Sequence, residues 1–127
     1  MDYGIATTLD ITPAQAEEKV RAALAEEGFG VLTEIDVAAT MKAKLDVDMA
    51  PYVILGACNP PLAHRAVQAD KNIGLLLPCN VVVYASDAGT VVSAMEPNLM
   101  AQMSNSPELA DIAAEARERL VRVIESL

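Results

Sequence analysis

The chain has 127 residues, 53% of them hydrophobic, with 9 Lys and Arg against 18 Asp and Glu for a formal net charge of −9. That length and apolar content suit one ordinary domain and exclude a disordered chain. The acidic balance argues against nucleic acid and anionic membranes as partners, because both select clustered Lys and Arg.

Residues Tyr3 to Leu9 alternate, with Tyr3, Ile5, Thr7 and Leu9 on one side, which is a strand period. Thr12-Pro13-Ala14-Gln15 then opens a helix. Thr12 caps it, Pro13 suits the first helical position and Gln15 completes a capping box. Ala16, Val20, Ala23 and Leu24 form its apolar stripe. Gly28 is placed to end it in the left-handed conformation, with Phe29 as the following hydrophobic contact.

Gly30 to Ile35 reads as a second strand, with Val31, Thr33 and Ile35 on one face and Glu34 and Asp36 on the other. Asp36 is an N-cap for a short helix to about Leu45, whose buried residues are expected to be Met41 and Leu45. Tyr52 to Ala57 is a continuous apolar run, expected as a strand covered on both faces. Asn59 caps a helix from Pro60 to about Asp70, and Asn72-Ile73-Gly74 breaks it. Cys79 to Tyr84 and Thr90 to Met95 form a hairpin about the turn Ser86-Asp87-Ala88-Gly89.

Pro97 to Met103 supplies one or two helical turns. The last helix is capped by Ser106 and opened by Pro107. Leu109, Ile112, Ala113, Ala116, Leu120, Val123, Ile124 and Leu127 line one of its faces, with Glu115–Arg119 and Glu118–Arg122 as i,i+4 pairs opposite.

The order is β-α-β-α-β-α-β-β-α-α. The alternation of strand and helix fits a parallel sheet. The hairpin and the long capped helices at either end favour α+β, with the 12–27 and 107–126 helices side by side on one sheet face. No repeat, charge block or linker divides the chain, so a single domain over residues 1–127 is expected.

Two stretches resemble a known family. These are Ile54-Leu55-Gly56-Ala57-Cys58-Asn59-Pro60-Pro61-Leu62-Ala63-His64-Arg65-Ala66 and Ile73-Gly74-Leu75-Leu76-Leu77-Pro78-Cys79-Asn80-Val81-Val82-Val83. With Gly28 to Asp36 and the spacing Met41 to Leu45, they resemble the bacterial and archaeal family called domain of unknown function 302. The resemblance covers nearly the whole chain. It implies an α+β fold of the TATA-binding-protein-like class: a curved, mostly antiparallel sheet with the two long helices packed on one face and short helices inserted. It also implies a homodimer, and it implies no activity.

Chemistry is most readily sought at the cysteines. Cys58 ends a buried strand just before a helix N-terminus, where a thiol feels the positive end of the helix. Cys79 starts another central strand, flanked by Pro78 and Val81-Val82-Val83, which predicts deeper burial and a raised thiol pKa. If the strands are neighbours, the two form a dithiol or soft-metal site; free cysteines are more often inert core residues.

Asn59-Pro60-Pro61 reads as a rigid helix start more readily than as an anion site, because the prolines lack N–H donors. His64, the only histidine, falls on a polar face with Gln68 and Lys71. Met41, Met49, Met95, Met100 and Met103 are thioethers suited to Cu(I), though methionines at helical spacing usually fill cores. Glu34 with Asp36 is a carboxylate pair of the kind used in acid/base or metal sites, or a solvated strand edge.

No nucleotide-binding or hydrolase motif is present, no cofactor is implied and no catalytic constellation emerges. No apolar run reaches the roughly 18 residues of a membrane span. The N-terminus lacks the basic and apolar regions of a signal peptide, so a cytoplasmic protein is expected. Two functions fit: a homodimeric module binding a small ligand or protein partner, or a thiol redox or copper-type protein using Cys58 and Cys79, with Asn59 and His64 beside them. The distance and exposure of the two sulfurs discriminate between these.

Overall fold

In the computed structural model, which describes residues 2–127, five strands form one antiparallel sheet in the order β1-β5-β4-β3-β2. The strands are β1 (Gly4–Leu9), β2 (Gly30–Asp36), β3 (Tyr52–Cys58), β4 (Cys79–Ser86) and β5 (Gly89–Met95). The helices are α1 (Pro13–Glu26), α2 (Val37–Leu45), α3 (Pro60–Ala69), α4 (Asn98–Ser104) and α5 (Pro107–Glu125), with a 3-10 helix over Lys71–Leu76. The expected element order and the α+β class hold.

The helix ends follow local chemistry. Thr12 and Gln15 form the reciprocal capping box at α1. At its other end the Phe29 N–H donates to Leu24 O at 2.9 Å and the Gly28 N–H to Ala25 O at 3.1 Å. Gly28 has φ +82, so a Schellman cap turns the chain into β2. Asp36, Asn59 and Ser106 cap α2, α3 and α5.

Each strand sends alternate residues to the helices. Leu55, Ala57, Val81, Val83, Val92 and Ala94 face Ala16, Val20 and Leu24 of α1 and Leu120, Val123 and Ile124 of α5, forming the main core. A second cluster joins Leu62 and Ala66 of α3, Ile73, Met100 of α4, and Leu109, Ile112, Ala113 and Ala116 of α5. Helix α5 therefore runs from one cluster into the other.

The opposite face is set by the same register. It carries Gly4, Ala6 and Thr8, then Val91, Ser93 and Met95, then Asn80, Val82, Tyr84 and Ser86, then Tyr52, Ile54 and Gly56, and lastly Thr33 and Ile35. Tyr52 and Tyr84 are cross-strand partners with rings stacked at 5.3 Å and 12°.

Four local expectations need correcting. Val31 does not share a face with Thr33 and Ile35. The β2–β3 register shifts between Val31 and Thr33, and this bulge reverses the alternation. Glu34 and Asp36 consequently lie on the helix side, and Glu34 pairs with Arg21 of α1 at 3.1 Å. Helix α2 buries neither Met41 nor Leu45; Leu45 is 65% exposed, because this short helix lies against the β2–β3 edge beyond the reach of α1 and α5. Tyr3 precedes the strand and is 77% exposed. Arg122 bonds Glu27 across the helix pair, at 2.9 Å from Nε, rather than Glu118.

Candidate functional site

Side chains shrink along β3, from Ile54-Leu55 to Gly56-Ala57-Cys58. The helices opposite that end are also lined with small residues, Ala63 and Ala66 on α3 and Ala116 on α5. A half-open cleft of about 300 Å³ remains at the seam between the two core clusters. Phe29 and the bulge residues Leu32 and Thr33 wall it on the β2 side. Leu62, Leu77, Pro78, Met100 and Ile112 complete its lining with Cys58, Asn59 and Cys79.

Gly56 stands beside this end of the sheet for a steric reason. A Cβ there would collide with Thr33 Oγ1 and lie 2.9 Å from Pro78 Cγ. Only glycine lets the bulge and the Pro78 turn close around β3.

The polar groups of the lining are few. Asn59 is buried, and both ends of its amide are spent. Its Oδ1 accepts from the Leu62 N–H at 3.3 Å, and its Nδ2 donates to Glu27 O at 3.3 Å. Arg119 Nη1 donates to that same carbonyl at 3.0 Å. The cleft thus offers shape and apolar surface, with thiols as its reactive groups.

Cys58 is half-buried and Cys79 is buried. Register brings their backbones together, because Cys79 pairs across the strands with Ala57, the neighbour of Cys58, and both residues line the cleft. Burial, and after it the charge of Cys58, pushes the Cys79 thiol up to about 11. Cys79 is therefore a neutral thiol at physiological pH.

The model of the family described as domain of unknown function DUF302 matches residues 5–127. This chain belongs to that family. Among solved structures it is similar to the "uncharacterized conserved protein DUF302 from Bacillus stearothermophilus". The two are 30% identical with a TM-score of 0.90, and 98% of each chain is covered. No curated protein matches. The DUF302 relationship thus extends over all the elements that build the cleft, and it carries no activity with it.

Within this DUF302 chain, three of the four candidate residues meet in the cleft: Cys58, Asn59 and Cys79. His64 does not line it. It is exposed on α3, two residues and about 200° from the buried Leu62. The start of α3 offers no anion site of its own: Pro60 and Pro61 lack N–H groups, and the Leu62 N–H is taken by Asn59.

Met100 is buried and lines the cleft, whereas Met103 is 71% exposed and Met49 points to solvent. Glu34 is committed to Arg21, and Asp36 caps Ala39 N at 2.9 Å. Among the described residues no three His, Cys, Asp or Glu side chains group to hold a metal ion. Among the described residues no helix is long and apolar enough to cross a membrane.

The cleft walls supplied by Phe29, Leu32, Ile112 and Ala116 were not among the sequence candidates, and Met100 was named only as a thioether. The available signal was the coincidence of small residues on three separate elements, at Ala57, Ala66 and Ala116. Small residues at a predicted buried position on each element leave a void where those elements meet.

Proposed function

We propose that this chain is a binding module that takes a small, mostly apolar ligand into the cleft at the end of β3, and that it works as a homodimer in the cytoplasm. One observation carries the reading: a cleft of about 300 Å³, the lower size range of small-molecule sites, is walled by apolar side chains and its single amide is internally satisfied. The two free cysteines fit a reducing compartment. We read the sheet as belonging to the TATA-binding-protein-like class, a reading supported by five antiparallel strands with α1 and α5 both packed against one face.

The test is titration with Nile red, a neutral apolar dye, followed by displacement with medium-chain alcohols. Saturable binding to the native protein is expected. It should weaken at least tenfold in Ala63→Leu, which fills the cleft from its half-buried rim. Absence of saturable binding, or equal binding by the variant, overturns the reading.

A second reading, thiol redox or soft-metal binding through Cys58 and Cys79, is favoured by one feature. Both thiols line the same cleft as the Met100 thioether, a soft donor set. His64 has no part in it. Metal content of the purified protein together with native thiol titration separates the two readings, because an apolar ligand site needs neither bound metal nor a reactive thiol.

A further inference from the structure

We propose that the face of the sheet turned away from α1 and α5 is covered by the same face of a second copy of this chain. The inference rests on the homodimer reading and adds the surface through which the copies meet. The observation behind it is one of charge. The chain carries 27 Asp, Glu, Lys and Arg in 127 residues, yet none of the positions that the register places on this face is charged. The charged residues of the strands, Glu34 and Asp36, are turned to the helix side by the β2 bulge. A one-sided sheet left in water normally alternates apolar residues inside with polar and charged ones outside. Here Val82, Ile54, Tyr52, Tyr84, Val91 and Met95 occupy the outer positions.

The surface is large enough. Five strands of six to eight residues span about 24 Å by 20 Å, roughly 500 Å² in plan per copy. Two copies together then remove on the order of 1,000 Å², the lower limit for a specific contact. The stacked Tyr52–Tyr84 pair supplies rigid aromatic area of the kind that anchors interfaces. An open trough runs over this face beside Val82 and Ser93, and Asp2 at its edge is the only charged residue among the described ones that line it.

Charge also selects the occupant. A partner with charged residues at its centre would have them buried unpaired against a face that offers no counter-charge. An anionic bilayer is repelled by a net charge of −9. The same face of a second copy is free of charge by symmetry, and an isologous pair closes on itself and leaves neither face exposed.

The experiment is sedimentation velocity at micromolar concentration on the full chain, with circular dichroism as the check of folding. The wild type should sediment at twice 13.4 kDa. Its association should tighten as salt rises from about 0.05 to 0.5 M, because salt screens repulsion between two acidic bodies while no ion pair holds the interface. Val82→Glu, at the middle of the central strand, should halve the mass with the fold retained. Ser93→Glu, its cross-strand neighbour on the same face, should do likewise and decides the matter if Val82→Glu fails to fold. Ala114→Glu, exposed on α5, should leave the mass unchanged. A wild-type mass of one chain overturns the homodimer and the interface together. A dimer that survives both sheet substitutions, or that weakens as salt rises, overturns the interface and leaves the homodimer standing.

Discussion

Raising the pH should destabilise this protein through Cys79 in a way that a single substitution removes. The thiol is 8% exposed, and its pKa is raised from an ordinary 9.0 to about 11, first by burial and then by the charge of Cys58. Its proton is held more tightly in the native state than in the unfolded chain. Stability is therefore fully present below pH 9 and falls as the pH rises between the two values. With 1.36 kcal/mol per unit, the loss is about 1 kcal/mol by pH 10 and about 2 kcal/mol by pH 11. Lysines and tyrosines titrate in the same range, so the quantity to follow is the difference between wild type and Cys79→Ala. The alanine leaves a small void whose cost does not depend on pH, and that cost sets a constant offset. Urea unfolding of both proteins at half-unit intervals from pH 8 to 11 should show the wild type's advantage shrinking by those amounts. Parallel curves over the whole range would refute the argument, since they would mean that ionised Cys79 is as comfortable folded as unfolded. A wild-type advantage that grows with pH would mean that the cleft stabilises the thiolate, and the soft-metal reading would then take precedence.

Asn59→Ala should cost about 1–3 kcal/mol, because it removes the cap of α3 and the bond to Glu27 O. Asn59→Ser keeps a capping oxygen but cannot reach Glu27, so it should recover roughly half of that loss; a urea midpoint for Asn59→Ser equal to wild type would show that the link between α1 and α3 contributes nothing, and one equal to Asn59→Ala would show the same of the cap. The Glu27 pKa is lowered, chiefly by its hydrogen bond from Arg122, so its contribution is present above the ordinary carboxylate value of 4.5 and is lost as the pH falls through the lowered one. Glu27→Gln should accordingly show a flatter acid limb than wild type in the urea midpoint below about pH 5, and superimposable limbs would contradict the pairing.

The elements that the sequence made legible are those specified within a few residues of themselves. The capping box at Thr12 and Gln15, the Gly28 cap with Phe29 behind it and the stripe of α5 each use neighbours in the chain, and each is present in the fold. The bulge at Leu32 escaped because a one-residue irregularity changes neither composition nor propensity, only parity. It reversed Thr33, Glu34, Ile35 and Asp36 at a stroke. Leu45 misled for a different reason: its spacing is that of a buried residue, but burial also needs a neighbour, and α2 packs chiefly on β2 and β3 with Leu45 left outside that contact. The cleft was half visible. Cys58 and Asn59 are consecutive and could be seen together, whereas Cys79 joins them only through the Ala57–Cys79 register and Met100, Ile112 and Ala116 only through the packing of α4 and α5.

Local rules agree with the global fold nearly everywhere in this chain, so the places where they do not are informative. One is the end of β3, where Gly56, Ala57 and Cys58 follow Ile54 and Leu55. Larger residues there and at Ala66 and Ala116 would bury more apolar area and close the seam between the two clusters. The other is the outer sheet face, where Val82, Ile54 and Tyr84 stand in positions that Lys, Glu or Thr would fill at no cost to the fold. The first departure leaves room beside a strand end, and the second leaves apolar area on an otherwise acidic molecule. Neither assists folding of the isolated chain, and the first forgoes packing energy. Folding therefore does not account for them. The occupants proposed above would account for both: a small apolar ligand in the first place and a second copy over the second.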